Sequence, residues 1–533
     1  MSHFHIPFRI VDRKRDIGQP ITLKNWYAIL GASLAAFMAV LDIQVSNASL
    51  REIQASLNLD FTDGGWISTS YLIAETIIIP LTGYLSNAFG IKRFLLWNCF
   101  IFICSSVLCG FSWNLESMIL FRILQGLSGG ALVPMAFQIL LIFIPKEKRY
   151  LSMVIFGLTA TLAPTIGPSL GGYLTETIGW RYIFFINVFP GILMMYFINK
   201  GINKAKIDWE KFKKIDLSGI IFLSLGLGCL VYTLEEGAKK NWFEDFSIQI
   251  ATLISIGSLF YFIVSQLFKK EPLLNLYALN DRNFLITSII TLVSGAALYG
   301  GIYSLSLYLG QIQNYRSSEI GSVIMWLGLP QLIVMPLMPI LMRRINLKIL
   351  IIIGILLFAY SNYLNAFMDQ NYSGDQLRFS LFLRAIGQPL FMIPVSVIGM
   401  SLVDHKSAGN ASALFNMLRN IGGSIGVSLS GTFLINRQKM HEYEYETLIN
   451  NGGSLLNEYL YKIEIGLKSL GASLETAHDL AVKSLYLKLV RDSYIQSFND
   501  IFFILGVSLL ALVILIIFVK ENENLKIEDS VFE

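Results

Sequence analysis

The stretch "SLFLRAIGQPLFMIPVSVIGM", residues 380–400, decides the fold class. Its apolar residues come in unbroken blocks about 20 residues long, enough to cross a ~30 Å hydrocarbon core as a helix. A spanning β-strand would instead show ~10 residues of strict alternation, and this block has none. Blocks of the same kind recur from end to end. The chain has 533 residues, of which 54% are apolar and only 15% charged, with a mean hydropathy of +0.58. A soluble chain carries about 25% charged residues. The fold class that follows is all-α integral membrane.

Fourteen candidate spans can be read: 26–47, 62–83, 94–112, 116–143, 150–173, 180–199, 217–236, 247–268, 283–311, 317–341, 348–368, 376–403, 409–435 and 497–520. Basic residues mark every second connection. They are Arg9, Arg13, Lys14, Arg15 and Lys24, then Lys92 and Arg93, Lys146, Lys148 and Arg149, the run "KGINKAKIDWEKFKK" at 200–214, Lys269 and Lys270, Arg343 and Arg344, Lys406, and Lys520. Short cytoplasmic loops collect Lys and Arg, so both termini are expected in the cytoplasm. The first residues, "MSHFHIPFRIVDRKRDIGQP", show no apolar core with a small-residue cleavage site and read as a retained tail.

"PLTGYLSNAFGIKRFL" at 80–95 and "PLMPILMRRINLKIL" at 336–350 align without a gap at an offset of 256 residues. The match pairs Pro80 with Pro336, Leu85 with Leu341 and Lys92 with Lys348. Duplication of a transporter half explains it. The expected organisation is a tail at 1–25, a six-helix bundle at 26–199, a basic loop with two linking helices at 200–282, a second six-helix bundle at 283–520, and a tail at 521–533. Within the second bundle, the polar segment 436–496 is expected to form an exterior helical insert. Leu456, Tyr459, Leu460, Ile463, Leu467 and Leu470 keep helical spacing up to Gly471. Ser473 then could cap a second helix carrying Ala477, Leu480, Ala481, Leu485 and Leu489.

Two acids stand inside oily runs. A carboxylate at the bilayer centre costs roughly 2.5–3.5 kcal/mol on insertion scales, so it faces a cavity or a partner. Asp42 begins a polar line with Ser46 and Ser49. Its partner is expected to be Arg122, either as a structural ion pair or as a proton-carrying unit. Glu75 shares one helical face with Ser68, Tyr71 and Thr82, as a cavity-lining stripe would. Cys99, Cys104, Cys109 and Cys229 lie in apolar runs and read as packing residues.

Six stretches in order resemble the fourteen-helix drug:proton antiporters of the major facilitator superfamily, in particular their EmrB-like members. They are "LDIQVSNASL", "GYLSNAFGIKRFL", "FRILQGLSGGALVP", "APTIGPSLGGYL", "GWRYIFFINVFPG" and "NMLRNIGGSIGVS". The resemblance implies two six-helix bundles plus two inserted helices, fourteen transmembrane helices in all. It implies proton coupling at Asp42, Glu75 and Arg122, and a conformational antiporter motif at Gly157, Pro164, Gly167, Pro168, Gly171 and Gly172. It also implies a gating loop at Gly83, Gly90, Lys92 and Arg93. That loop departs from the family pattern, with Asn87 where an aspartate is usual and Ala88 where a basic residue is usual, so its ionic latch is incomplete.

Tyr71, Gln125, Tyr299 and Tyr303 are candidate substrate contacts, with Tyr299 and Tyr303 one turn apart as an aromatic wall. Arg384 reads as structurally paired, with substrate contact as the alternative, and Arg419 as a residue meeting lipid phosphate. The sequence holds no GxxxxGK[ST], HExxH or CxxC motif, so no nucleotide, metal or other cofactor is called for. The function expected is proton-coupled efflux of lipophilic compounds across a bacterial inner membrane. A specific metabolite or siderophore exporter, or a scaffold or receptor that does not transport, are the alternatives. The expected partners are the lipid bilayer, protons, lipophilic small molecules, a periplasmic adaptor (EmrA-like) and an outer-membrane channel (TolC-like), with no nucleic acid.

Overall fold

A computed structural model describes residues 22–59, 64–145, 148–205, 216–269, 272–274, 276–401, 408–451, 453–469 and 473–520. Arg9, Arg13, Lys14, Arg15, Lys146, Lys270, Lys406, the lysine-rich run from 206 onward, Leu470, Gly471 and the tail at 521–533 lie outside these residues. The described residues form helices joined by short connections. The first half comprises α1 Leu23–Ala48, α2 Leu50–Ser56, α3 Trp66–Ile78, α4 Thr82–Phe89, α5 Ile91–Gly110, α6 Leu115–Phe143, α7 Arg149–Thr177, α8 Tyr182–Phe185 and α9 Val188–Gly201. Two linking helices follow, α10 Leu217–Gly237 and α11 Phe246–Phe268. The second half comprises α12 Arg282–Gln311, α13 Ser317–Ile324, α14 Gln331–Arg344, α15 Leu347–Leu364, α16 Gly374–Gly399, α17 Ala408–Asn451, α18 Gly453–Ser469 and α19 Leu474–Ile517.

Thirteen helical segments among the described residues are long and apolar enough to cross a membrane. The remaining expected span, 409–435, lies in α17. Its Asn, Ser and Gly residues lower its hydropathy, yet it packs closely along α12 and α19. The spacing of 256 residues reappears in the helix starts, since Ile91 opens α5 and Leu347 opens α15. The break before α5 uses Gly90 at φ +85°, a conformation glycine adopts without strain. Before α15, Asn346 accepts a hydrogen bond from the Lys348 amide as a helix cap.

The helices alternate in direction. The start of α1, the ends of α6 and α9, the start of α12 and the end of α19 share one end of the molecule, here the proximal end. There Asn25 donates to the Phe143 carbonyl, Lys92 to the Asn199 carbonyl, and Asn283 and Lys520 exchange two hydrogen bonds. One apolar cluster at this end draws Phe137 and Phe156 from the first half together with Met335, Ile393 and Phe415 from the second. Phe137 stacks on Phe415 with centroids 6.1 Å apart.

The linking helices lean against both halves. α10 packs on α3 through Gly228, beside Ile73 and Ile77, and Trp66 stacks on Tyr232. Just beyond α10, the Trp242 indole donates to Thr432 of α17. Asp216 caps α10, accepting from the Gly219 amide and pairing with Lys269 beyond the end of α11. Burial pushes the Asp216 carboxyl upward, but Lys269, the Gly219 amide, Gln266 and Ser218 outweigh it and hold its pKa down at about 2. The Asp216 carboxyl at the foot of the linker is therefore ionised at neutral pH.

α17 and α19 have 44 residues each. At 1.5 Å per residue they are about 66 Å long, roughly twice the hydrocarbon thickness. They project past the distal end and carry α18 between them as a hairpin. Ser473 caps α19 by accepting from the Thr476 amide. The two expected stripes face inward: Ala477, Ala481 and Leu489 are buried, and Leu456, Tyr459, Leu460, Ile463, Leu467 and Leu485 are partly buried. Leu480 is the exception at 47% exposed. The apolar surface left outside is a different set, including Tyr443, Tyr461, Ile465, Tyr486 and Leu487.

Candidate functional site

Asp42 sits at the centre of a buried polar network inside the first half. Its Oδ2 accepts from Arg122 Nη1 at 2.8 Å, and its Oδ1 accepts from Gln125 at 2.9 Å and from Asn187 at 2.6 Å. Arg122 also donates to the Gln125 side chain and to the Ile67 carbonyl, and its guanidinium lies 4.3 Å from the centre of the Tyr71 ring. Asp42 is 2% exposed and Arg122 0%. Both charges are thus removed from solvent and satisfied by direct donors and acceptors, the condition under which a buried pair survives its desolvation cost. The small residues of α6 make this possible. A Cβ on Gly126 would lie 2.5 Å from the Tyr71 carbonyl oxygen, and one on Gly129 2.6 Å from the Tyr71 hydroxyl.

Glu75 occupies the next turn of α3 after Tyr71 and faces the other half. The Asn420 side chain of α17 donates to its Oε1 at 3.4 Å, across 345 residues of sequence. Arg419 is 7% exposed, its Nε has no partner, and its backbone lies against Gly295 of α12. The expectation of a lipid-facing Arg419 is therefore corrected. The chain turns it into the protein at the seam, because α17 passes close to α12 at Gly422, Gly423 and Gly426.

Of the expected contacts for substrate, Tyr71 and Gln125 belong to the Asp42 network. Tyr299 and Tyr303 pack toward α17, the first against Gly423 and the second near Gly431, both partly buried. Of the stripe, Ser68 donates to Asn47 and Thr82 to the Ile79 carbonyl, so neither is an open polar wall. Ser46 keeps a buried hydroxyl without a partner, while Ser49 bonds Thr175 of α7. Asn187 and Asn420 were missed by sequence reasoning. Each is a carboxamide inside a span and could have been noticed on that ground alone.

The expected gating residues divide. Gly83 lies in the seam, where an added Cβ would meet Asn410 at 2.6 Å and the Gly409 backbone at 2.8 Å. Lys92 is bound within its own half to the end of α9. Gly90 supplies the turn, and Arg93 is partly buried beside it. Ser412 donates to the Pro134 carbonyl close by. The crossing of the halves at the proximal end is thus a close backbone approach, which fits a loop lacking the usual aspartate.

The expected antiporter motif lies on α7, which runs along α13 on its distal half. A Cβ on Gly172 would lie 2.8 Å from the Ser318 amide nitrogen, and one on Gly171 2.8 Å from the Val45 carbonyl oxygen. Gly167 would meet the Gln44 side chain at 2.4 Å, whereas Gly157 would meet nothing closer than 3.6 Å. Pro164 and Pro168 lie within the helix between them. The seam is completed by Ser318 donating to Glu176. Gly157→Ala is accordingly expected to keep near wild-type efflux. Gly172→Val, which collides with backbone, is expected to reduce it by about tenfold or more with less effect on the amount of folded protein. Equal activity in the two variants, measured as flux per folded molecule, would show that the α7–α13 contact does not govern transport.

A family model for the Major Facilitator Superfamily matches residues 32–427. The chain is 31% identical over 502 residues to the colistin resistance protein EmrB of Acinetobacter baumannii, covering 94% of this chain and 98% of that one. It is 30% identical over 494 residues to the multidrug export protein EmrB of Haemophilus influenzae, covering 92% and 95%. It is 29% identical over 432 residues to the fatty acid resistance protein FarB of Neisseria gonorrhoeae, covering 81% and 85%. Among solved structures, the human organic anion transporter MFSD10 (TETRAN) superposes with a TM-score of 0.55 over 92% of this chain and all of that one, at 12% identity, a likeness of fold alone. With two helical halves meeting at a polar seam and a family model that matches most of its length, the chain belongs to the Major Facilitator Superfamily.

Proposed function

We propose that this protein is a proton-coupled multidrug efflux antiporter, exporting lipophilic compounds across a bacterial inner membrane by alternating access, with both termini in the cytoplasm. The observation that carries the reading is the Glu75–Asn420 contact, a buried carboxyl bridging the two halves. When the halves part, that carboxyl loses its partner and its access to water changes. Proton occupancy and conformation are then linked through one group. Asp42 and Arg122 complete the proton-coupling unit by holding α3, which carries Glu75, through the Ile67 carbonyl and the Tyr71 ring. The multidrug export proteins among the relatives favour drugs over a single metabolite as cargo.

The test is flux of a panel of lipophilic dyes and antibiotics in proteoliposomes under an imposed pH gradient. Transport of several unrelated compounds supports the reading. Transport of one compound alone points to a dedicated exporter, and no pH-driven transport to a scaffold. We further propose that the outer apolar side of the hairpin, around Tyr461, Ile465 and Tyr486, contacts a periplasmic adaptor leading to an outer-membrane channel. Deleting residues 450–492 should leave proteoliposome flux nearly intact while removing resistance in cells. Loss of flux on deletion would make the hairpin a structural cap instead.

A further inference from the structure

Arg384 of α16 is 1% exposed, one of the largest fully buried side chains in the molecule. It stands in the second half where Arg122 stands in the first, on the long helix that follows a distal turn. The surroundings differ. Arg122 has a carboxylate, a carboxamide, a carbonyl and a ring. Arg384 donates from Nη2 to the Leu298 carbonyl at 2.8 Å and lies 4.7 Å from the centre of the Phe358 ring, and its Nε has no partner. Among the described residues no carboxylate pairs with it.

The helices flanking Arg384 supply no counter-ion. α1 gives Arg122 its Asp42, but α12, the equivalent first helix of the second half, contains no acidic residue from Arg282 to Gln311. It presents Gly301 to the guanidinium instead, so close that an added Cβ would lie 3.0 Å from Nη1. α15, on the other side, has no acid either. Asp375 of α16 pairs with the exposed Arg378, and Asp500 of α19 is taken by Arg437 and His441. A buried cation with no opposite charge is costly enough that such groups are almost always compensated. One turn onward, Ser304 of α12 and Ser361 of α15 each carry a buried hydroxyl without a partner, and each can donate. The arginine's planar fork, with a hydroxyl one turn along each flanking helix, offers donors to an anion.

We propose that the second half holds a monovalent anion at Arg384, either a small inorganic anion or the carboxylate head of an amphiphilic substrate. The experiment uses the full chain purified in detergent. Its melting temperature is followed as chloride, or separately benzoate, replaces a bulky sulfonate at constant ionic strength. A saturable rise is expected with one of the two probes, and which one distinguishes a free inorganic anion from a carboxylate. Arg384→Gln should weaken the apparent affinity by about tenfold or more. Gly301→Asp places a carboxylate beside Nη1 in imitation of Asp42, and should raise the melting temperature while removing the response. It meets only the movable tip of the arginine, so it gives an answer even where Arg384→Gln does not fold. No saturable response in the wild-type protein, or an unchanged one in Gly301→Asp, would overturn the proposal.

Discussion

Glu75→Gln is expected to reduce pH-gradient-driven efflux by at least about tenfold, while the protein still inserts, folds and binds its substrates. The substitution keeps the length of the side chain and an acceptor for the Asn420 amide, so the seam between α3 and α17 stays closed as before. What it removes is titration. A group that carries a proton through the cycle cannot be replaced by one that never ionises, whereas a group that only packs can. The rate loss corresponds to about 1.4 kcal/mol or more at the limiting step. Stability should change by less than about 1 kcal/mol, within the ordinary range for a substitution that breaks no strong contact. Flux against an imposed pH gradient, set beside melting temperature and equilibrium binding, checks all three. Undiminished coupling in Glu75→Gln would remove Glu75 from the proton path and leave its bridge to Asn420 as packing. Asn420→Ala gives the complement: the carboxyl survives but loses its partner, so coupling should persist with an altered pH profile.

Much of this arrangement is legible in the chain because membrane folds are written in coarse signals. Spans of ~20 apolar residues, proximal basic loops and an intramembrane acid need only composition and spacing to be recognised. The pairing of Asp42 with Arg122 could be named because each charge, buried alone, demands the other. The helix that bears Glu75 could also be given a polar face. What could not be read is which half that face meets. Asn420 is 345 residues away, and nothing local to either residue encodes the crossing of α3 and α17. The same limit explains Arg419, whose place near the end of a span suggested lipid but whose helix turns it inward. The hairpin shows a subtler limit. Its helical spacing was correct, but an apolar stripe does not say whether its partner is another protein or the next helix, and here α18 and α19 cover each other. Asn87 shows the reverse. Its missing charge in the expected gating loop is plain in the sequence, while the approach of Gly83 to Gly409 depends on two backbones meeting.

The pair at Asp42 is where charge and conformation are hardest to separate, and a double substitution separates them. Asp42→Asn strips the counter-ion from a fully buried arginine, and Arg122→Gln does the converse, so each single variant should lose roughly 3–5 kcal/mol of stability. Asp42→Asn together with Arg122→Gln leaves two neutral side chains within reach of Gln125, Asn187 and the Ile67 carbonyl, and most of the lost stability should return. The coupling energy in this cycle is large because the residues share one network. Transport then decides the role. If the pair belongs to the proton-coupling unit, the stable double variant should still fail to drive efflux with a pH gradient, since the neutral network neither exchanges a proton nor holds Tyr71 through a cation. Recovery of flux together with stability would make Asp42 and Arg122 a fastener between α1, α3 and α6, and leave Glu75 to carry the proton across the seam.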